Sequence, residues 1–180
     1  IGYTTTFKVL NGIHFGVPQK RQRVFIISVR NDVLDDIEMP WMLISSLFPE
    51  GANEEPTVED AIGDLRFNNE NRIEAHELCE AMKKSAKYKW LKRLPKNPDN
   101  QASHTLSEQG LMTSLAVHLH PDEDRGYTAK ESARIMTLPE DYINVGTLDQ
   151  RLARVGLMVA PMMMKHLAES IYENVLKPYK

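Results

Sequence analysis

Two arginines just before an apolar stretch are the residues best suited to chemistry in this 180-residue sequence. Arg21 and Arg23 follow a turn at residues 16–19 and precede the apolar run at residues 24–27. Side chains two apart on a strand point to the same face, so the two guanidinium groups are predicted to project together. A guanidinium group stays charged and donates in a rigid fork, which suits a base carbonyl, a phosphate or a carboxylate. The alternative is a basic strand end that is paired with a neighbouring carboxylate.

The elements that must position these arginines are two strands and the loop between them. Residues 2–10 are rich in Thr, Tyr, Phe and Val, which favours a strand, and Asn11-Gly12 is a turn signal. Residues 23–29 predict the second strand, antiparallel to the first at the edge of a larger sheet. Because its apolar run does not alternate, we expect cover on both faces, part of it from outside this chain.

Three blocks resemble motifs VIII, IX and X of the C5-cytosine DNA methyltransferases, in the order of that family. The first is Gly16-Val17-Pro18-Gln19-x-Arg21-x-Arg23 with the strand that follows, and the second runs from Arg125-Gly126-Tyr127-Thr128 to Leu138-Pro139-Glu140-Asp141-Tyr142. The third is Gln150-Arg151 through Val155-Gly156-Leu157-Met158-Val159-Ala160-Pro161 and the helix after it.

The resemblance implies an α/β fold. It would comprise edge strands and a C-terminal helix of a Rossmann-like, S-adenosylmethionine-dependent methyltransferase lobe, plus a small mixed α+β target-recognition module. The expected divisions are residues 1–66 (lobe strands and connector), 67–124 (target recognition) and 125–180 (helices returning to the lobe).

The resemblance also implies roles for motif residues in methylating C5 of a flipped cytosine in duplex DNA. Arg23 would stand beside O2 of the base, Arg21 would brace the neighbouring loop or the catalytic carboxylate, and Gln19 would orient the turn. Gly156, Leu157 and Val159 would border the cofactor S-adenosylmethionine. Leu157 replaces the family's asparagine and offers only its backbone and an apolar surface.

The glycine-rich cofactor loop, the Pro-Cys nucleophile segment and the Glu-Asn-Val segment of the family are not found in this sequence, which begins at Ile1. We therefore expect the C-terminal part of a longer enzyme, inactive alone, whose partner is the N-terminal methyltransferase half or a separate subunit. The alternative is a non-catalytic DNA-binding subunit or a degenerate methyltransferase-like module of a split system. Cys79, on a helical pattern, is predicted to be structural.

The recognition interval contains a helix and a cationic run. Ala75, Leu78 and Met82 form an apolar stripe on a helix from Asn71. The segment 83–96 has no acidic residue, and its DNA-binding candidates are Lys83, Lys84, Lys87, Lys89, Trp90, Lys92, Arg93 and Lys96. A solvated helix face is the alternative. Candidate base readers are Gln101, Ser103, His104, Thr105, Ser107 and Gln109, with Lys96.

Capping signals define further helices. Thr57 and Asp60 predict a short helix that ends at Gly63, and Thr128 and Glu131 form a capping box. Other expectations are a connecting segment over residues 31–55 with at most a short helix at 42–47, a Glu131–Arg134 ion pair, and a last helix from Pro161. That last helix would place Met163, Leu167, Ile171 and Val175 on one face.

Composition sets limits on the class of protein. The net charge of −3 does not indicate a nucleic-acid binder, although a local basic face can bind phosphate. A single cysteine excludes an internal disulfide, and His118 with His120 lacks a nearby third ligand, so no metal is expected. No apolar run approaches the ~20 residues of a membrane helix, so we expect a cytoplasmic protein.

Overall fold

The computed structural model describes residues 2–52, 55–84, 96, 98–106 and 119–179. The strands, numbered through these residues, are β1 (Tyr3–Asn11), β2 (Gln19–Lys20), β3 (Gln22–Arg30) and β4 (Ser103–His104). The α-helices are α1 (Asn31–Asp36), α2 (Val58–Ile62), α3 (Asn69–Lys84), α4 (Ala129–Ile135), α5 (Leu148–Leu157) and α6 (Pro161–Ile171). Shorter helical turns are the 3-10 helices Gly12–Phe15, Trp41–Leu47 and Gly63–Phe67 and the π-helix Tyr172–Leu176.

The predicted antiparallel pair is confirmed: β1 and β3 run side by side, with Leu10 opposite Arg23. Ile27 and Val29 point inward and are buried. The opposite face carries Phe7 opposite Ile26, which are 72% and 69% exposed. Burial therefore alternates along β3 although its apolar sequence does not, and the described residues cover only one face of the strand. The expected cover on both faces is not found among them.

The loop between β1 and β3 is tightly packed against α6. A β-carbon at Gly12 would lie 3.2 Å from Cβ of Val17 and 3.3 Å from Sδ of Met163, so a larger residue would push the loop away from the helix. Gly16 ends the 3-10 turn with φ of 74°, a conformation that glycine adopts without strain. β2 then pairs in parallel with β4, which attaches the predicted recognition interval to this loop.

α2 begins where the capping signals predict it, whereas the predicted connecting segment contains more helix than expected. The Thr57 side chain accepts from the Asp60 backbone N–H while the Asp60 side chain accepts from the Thr57 N–H, as predicted. α2 ends at Gly63, and the 3-10 helix Gly63–Phe67 follows it directly. The expected short helix near residues 42–47 is present in the 3-10 form. α1, however, lies in the predicted connector; it has no side-chain cap, and only Leu34 is buried.

The later helices surround the core. Ala75, Leu78 and Met82 of α3 are buried, as the stripe predicts. α5 was not expected, although Thr147 and Gln150 form a capping box at its start. α6 begins at Pro161 as predicted and buries Met163 and Leu167. In the described part of the chain, no helix has both the length and the apolar character that crossing a membrane requires.

Candidate functional site

Arg21 lies in the interior and is 1% exposed. Its Nη1 donates to the carbonyl oxygen of Leu106 at 2.8 Å, and its Nη2 donates to the carbonyl oxygens of Gly156 at 2.9 Å and Met158 at 2.7 Å. We call Arg21 and these three carbonyls the arginine clamp. The clamp joins the turn at residues 16–19 to the end of the segment 98–106 and to the end of α5.

The charge of Arg21 is satisfied by backbone dipoles and not by a carboxylate within the described residues. Burial, and after it the positive charge of Arg23, lower the pKa of Arg21 to about 10, so the guanidinium remains a cation at neutral pH. The alternative of a strand end paired with a carboxylate is therefore wrong for Arg21 in this part of the chain. The positive charges of Arg21 and Arg23 interact, and the two side chains differ in exposure, because Arg21 is buried and Arg23 is half-buried.

Gln19 contacts two members of the clamp, Arg21 and Leu106, and is fully buried. Its Oε1 accepts from the backbone N–H of Leu106 at 3.1 Å and from Nη1 of Arg21 at 3.4 Å. Gln19 therefore binds the backbone N–H of the same residue, Leu106, whose carbonyl oxygen the clamp binds. Gln19 and Arg21 are in position to shape the turn, and neither presents its side chain to the solvent.

Arg23 is the arginine of the pair that remains accessible. It lies at the start of β3 and is half-buried, and its Nη1 donates to the carbonyl oxygen of Gln22 at 2.7 Å. Among the described residues it forms no salt bridge. A guanidinium that is held by one backbone carbonyl still has donors for an incoming carbonyl or anion.

A buried polar network joins α3 to α4. The Glu131 carboxylate accepts from Arg125 at 2.7 Å and 2.9 Å, from Nδ2 of Asn71 at 2.9 Å and from the backbone N–H of Thr128 at 2.8 Å. Thr128 in turn accepts from the Glu131 backbone, which confirms the predicted capping box. Burial raises the pKa of Glu131, but the hydrogen bonds and charge of Arg125 outweigh burial, so the pKa is lowered.

The predicted ion pair between Glu131 and Arg134 is wrong. Glu131 is the third residue of α4 and turns back to cap the helix, which uses its carboxylate. Arg134 is half-buried and pairs with Glu140 at 2.6 Å and with Asp64.

His120 borders the same network and is 2% exposed. Its Nδ1 accepts from the backbone N–H of Asp122 at 3.2 Å, which requires an unprotonated nitrogen, and its Nε2 lies 3.8 Å from Oε1 of Glu131. Burial, followed by the charge of Arg125, lowers the pKa of His120. No group of three or more potential metal ligands exists among the described residues, and His118 lies outside them.

We call residues 83–96 the basic segment. The structure describes three of its predicted DNA-binding cations, which lie at its two ends. Lys83 and Lys84 are exposed at the end of α3, and Nζ of Lys83 is 2.8 Å from Glu80. Nζ of Lys96 is 3.1 Å from Asp124. The predicted candidates outside the described residues are Lys87, Lys89, Trp90, Lys92, Arg93, Ser107 and Gln109. Acidic residues from outside the segment thus balance the charge at both of its ends.

The predicted base readers near β4 differ in exposure. Gln101 and His104 are exposed. Thr105 is half-buried and donates to the carbonyl oxygen of Lys20 at 2.6 Å. Ser103 is fully buried because β4 turns it toward the interior, and its hydroxyl donates to the His104 carbonyl at 3.0 Å. Ser103 is therefore wrongly placed for contact with a base edge.

Gly156, Leu157 and Val159, the predicted cofactor-binding residues, supply apolar surface and no polar side chain for a cofactor. Leu157 and Val159 are 61% and 43% exposed, whereas the Gly156 carbonyl is occupied by the clamp. This set fits contact with an apolar edge of a ligand and does not by itself hold S-adenosylmethionine. Burial raises the pKa of the half-buried Cys79 thiol, the opposite of what a nucleophile requires.

Sequence reasoning missed Asn71, Arg125 and His120 as members of the buried network. Asn71 lies four residues before Ala75 and seven before Leu78, on the same helical stripe, so its position signalled burial. A buried amide needs hydrogen-bond partners, which the capping box of α4 provides. Neither Arg125 nor His120 carried a comparable local signal.

The fold is that of a methyltransferase. The crystal structure of the S. pombe Dnmt2 methyltransferase matches 96% of this chain and 58% of that chain, with a TM-score of 0.58 and 14% identity. This likeness confirms the predicted α/β class. The chain belongs to the C-5 cytosine-specific DNA methylase family, whose model matches residues 1–173.

Relatives with curated descriptions are similar along almost the whole chain. Type II methyltransferase M.MthTI of Methanothermobacter thermautotrophicus is 29% identical over 97% of this chain, and this chain covers 58% of it. Type II methyltransferase M.NgoFVII of Neisseria gonorrhoeae is 26% identical over 94% of this chain, and this chain covers 50% of it. The chain therefore spans between half and three fifths of the length of these relatives.

Proposed function

We propose that this chain is the C-terminal part of a DNA (cytosine-5)-methyltransferase that recognises a site in duplex DNA and methylates C5 of a flipped cytosine. The observation that carries the proposal is the accessible guanidinium of Arg23 beside the buried arginine clamp, in a chain of the cytosine-specific methylase family. The type II methyltransferases among its relatives suggest a restriction-modification role.

The chemistry assigned to this chain is stabilisation of charge on the cytosine ring. When a thiolate from outside the chain adds to C6, electron density shifts toward O2, and Arg23 would donate a hydrogen bond there. Preorganised donors of this kind contribute about 2.7 to 4 kcal/mol to lowering the barrier. Arg21 and Gln19 would act as positioning residues, because both side chains are buried and hydrogen-bonded to Leu106.

Base recognition belongs to the region around β4 and the basic segment. Exposed Gln101 and His104 would face the duplex, while Lys83, Lys84 and the basic segment contact phosphates. S-adenosylmethionine supplies the methyl group and would be held mainly by segments outside this chain, with Leu157 and Val159 at its apolar edge. The complementary half, in the same or a second polypeptide, would provide the nucleophile.

The exposed face of the β1–β3 hairpin supports a complementary half. Phe7, Val9, Val24 and Ile26 are each more than half exposed on this face. A contiguous apolar sheet face of this kind is typical of a surface that another protein segment covers. Arg23, like Ile27 and Val29, belongs to the opposite face of β3, so a segment docked here would cover the back of the strand that carries Arg23.

Methyl transfer tests the proposal. The chain, combined with the polypeptide that carries the Pro-Cys segment, should convert cytosine to 5-methylcytosine in duplex DNA, detected by mass spectrometry of nucleosides. The chain alone should transfer no methyl group. If the combined protein binds duplex DNA but forms no 5-methylcytosine, the chain is a non-catalytic DNA-binding module and the enzymatic proposal fails.

A further inference from the structure

A short acidic turn, residues 121–124, lies against the end of the basic segment. Its base is rigid: the backbone N–H of His120 donates to the carbonyl oxygen of Arg125 at 2.8 Å, and Leu119 and Gly126 form an antiparallel bridge. The backbone N–H of Asp122 also donates to Nδ1 of His120. These contacts hold the two ends of the turn together.

Each of the three acids in this turn pairs with a different cation. Asp122 is 2.9 Å from Arg66, and Asp124 is 3.1 Å from Lys96. Glu123 pairs at 3.0 Å with Arg125, which is itself anchored to buried Glu131. The Lys96 ammonium is additionally 3.1 Å from the Asp122 carbonyl oxygen.

The outer pairs are accessible and exchangeable. The side chains of Lys96 and Asp124 are 35% and 46% exposed, and those of Arg66 and Asp122 are 39% and 53% exposed. Exposed ion pairs contribute little to folding and are screened by salt, so an incoming anion can replace the carboxylate. Arg125, by contrast, has a side chain that is 2% exposed and stays in place.

We propose that the acidic turn competes with DNA phosphates for Lys96. Asp124 would occupy the cation in the free protein and release it when a duplex phosphate arrives. This lowers affinity for any duplex, because sequence-independent binding depends on the number of phosphates neutralised. The inference rests on the proposed DNA-binding role of the basic segment and adds a residue that weakens that binding.

Fluorescence anisotropy with a random-sequence duplex, from 50 to 300 mM salt, tests the competition. Asp124→Asn in the full chain should bind about three- to ten-fold tighter at low salt, with a salt slope steeper by about 0.9 for one extra phosphate contact. Glu77→Gln, the same charge change on the exposed face of α3, should have a smaller effect. Circular dichroism verifies that each variant is folded.

The same substitution in a variant that already lacks Lys96 separates competition for Lys96 from the general effect of removing a negative charge. With Lys96→Gln already present, Asp124→Asn should give no comparable gain. An equal gain in that background, or no gain in the otherwise unchanged chain, overturns the competition.

Heparin, a polyanion without bases, is measured in parallel and distinguishes the two proposals. A gain for heparin without any duplex binding supports the competition and contradicts the DNA-binding role. Duplex binding that Asp124→Asn leaves unchanged supports the DNA-binding role and contradicts the competition.

Discussion

At the scale of single residues, the two arginines of motif VIII have different environments. Arg21 is enclosed by three backbone carbonyls, whereas Arg23 keeps part of its guanidinium accessible at the start of β3. The chemical proposal depends on this division: one arginine fixes the turn, and the other is available to a substrate.

Replacing Arg21 should destabilise the chain. Arg21→Ala leaves the buried carbonyls of Leu106 and Gly156 and the partly buried carbonyl of Met158 without their donor. Unsatisfied buried groups cost about 1 to 3 kcal/mol each. We expect the free energy of unfolding in urea to fall by about 3 kcal/mol or more. Arg23→Ala is the matched control and should cost less than about 1 kcal/mol. Equal losses for the two variants would contradict the clamp.

The lowered pKa of His120 predicts a pH dependence of stability. Below the ordinary histidine pKa of about 6.5 the unfolded chain binds a proton that the folded chain does not, so stability falls as pH falls from about 6.5 toward the folded pKa. The slope from this one group is at most about 1.4 kcal/mol per pH unit. The facing charges are Arg125, Glu131, Glu123 and Asp122.

Urea unfolding between pH 8 and pH 5 measures this slope. In His120→Asn the amide oxygen can replace Nδ1 as acceptor. This variant should lose the part of the slope of unfolding free energy against pH that arises from protonation of His120. His76→Asn, at an exposed position of α3, should retain it. An unchanged slope in His120→Asn would show that this histidine is not responsible.

At the scale of elements, capping boxes begin three of the described helices, α2, α4 and α5. The box of α4 differs because it is buried, and Thr128 also donates to Oδ1 of Asn71 at 2.5 Å. The start of α4 is thereby joined to α3, which leads into the basic segment. The position of α3 relative to α4 thus depends on this helix cap.

We therefore predict unequal costs for removing these caps. Thr57→Ala should lower the free energy of unfolding by about 1 kcal/mol, the usual value for an N-cap. Thr128→Ala should cost about 2 kcal/mol or more, because it also leaves the buried Asn71 oxygen without its donor. Thermal and urea denaturation compare the two. The role of α4 in joining these helices is contradicted if the costs are the same.

Local features could be predicted from the sequence, and contacts between distant segments could not. The β1–β3 pair, the boxes at Thr57 and Thr128 and the stripe of α3 follow from neighbouring residues. The inward turn of Arg21 depends on Leu106 and Gly156, 85 and 135 residues away, and no local pattern encodes that. The burial of Ser103 similarly results from a two-residue pairing of β4 with β2.

At the scale of the whole molecule, the described residues leave one face of the hairpin without cover. Five apolar residues on this face of β1 and β3 are each more than half exposed: Tyr3, Phe7, Val9, Val24 and Ile26. The chain covers 58% of one curated relative and 50% of another. Under the proposed function, a complementary half would bury this face, which is opposite to the face that carries Arg23.

Polar substitution on this face should weaken assembly more than folding. Ile26→Thr, at a position that is 69% exposed, should change the stability of the chain by less than about 0.5 kcal/mol. Binding to the polypeptide with the Pro-Cys segment, measured by calorimetry, should weaken about ten-fold or more. Ile73→Thr on α3, 64% exposed, is the matched control and should bind normally. Normal binding by Ile26→Thr would exclude this face as the interface.

Single-turnover methyl transfer by the assembled enzyme tests the role of Arg23 most directly. Arg23→Ala should reduce the rate of 5-methylcytosine formation by about a hundred- to a thousand-fold, the effect of losing one preorganised donor, while duplex affinity changes little. Arg30→Ala, at the far end of β3, is the matched control and should retain the normal rate. If Arg23→Ala methylates DNA as fast as the unaltered enzyme, Arg23 does not stabilise the reacting base.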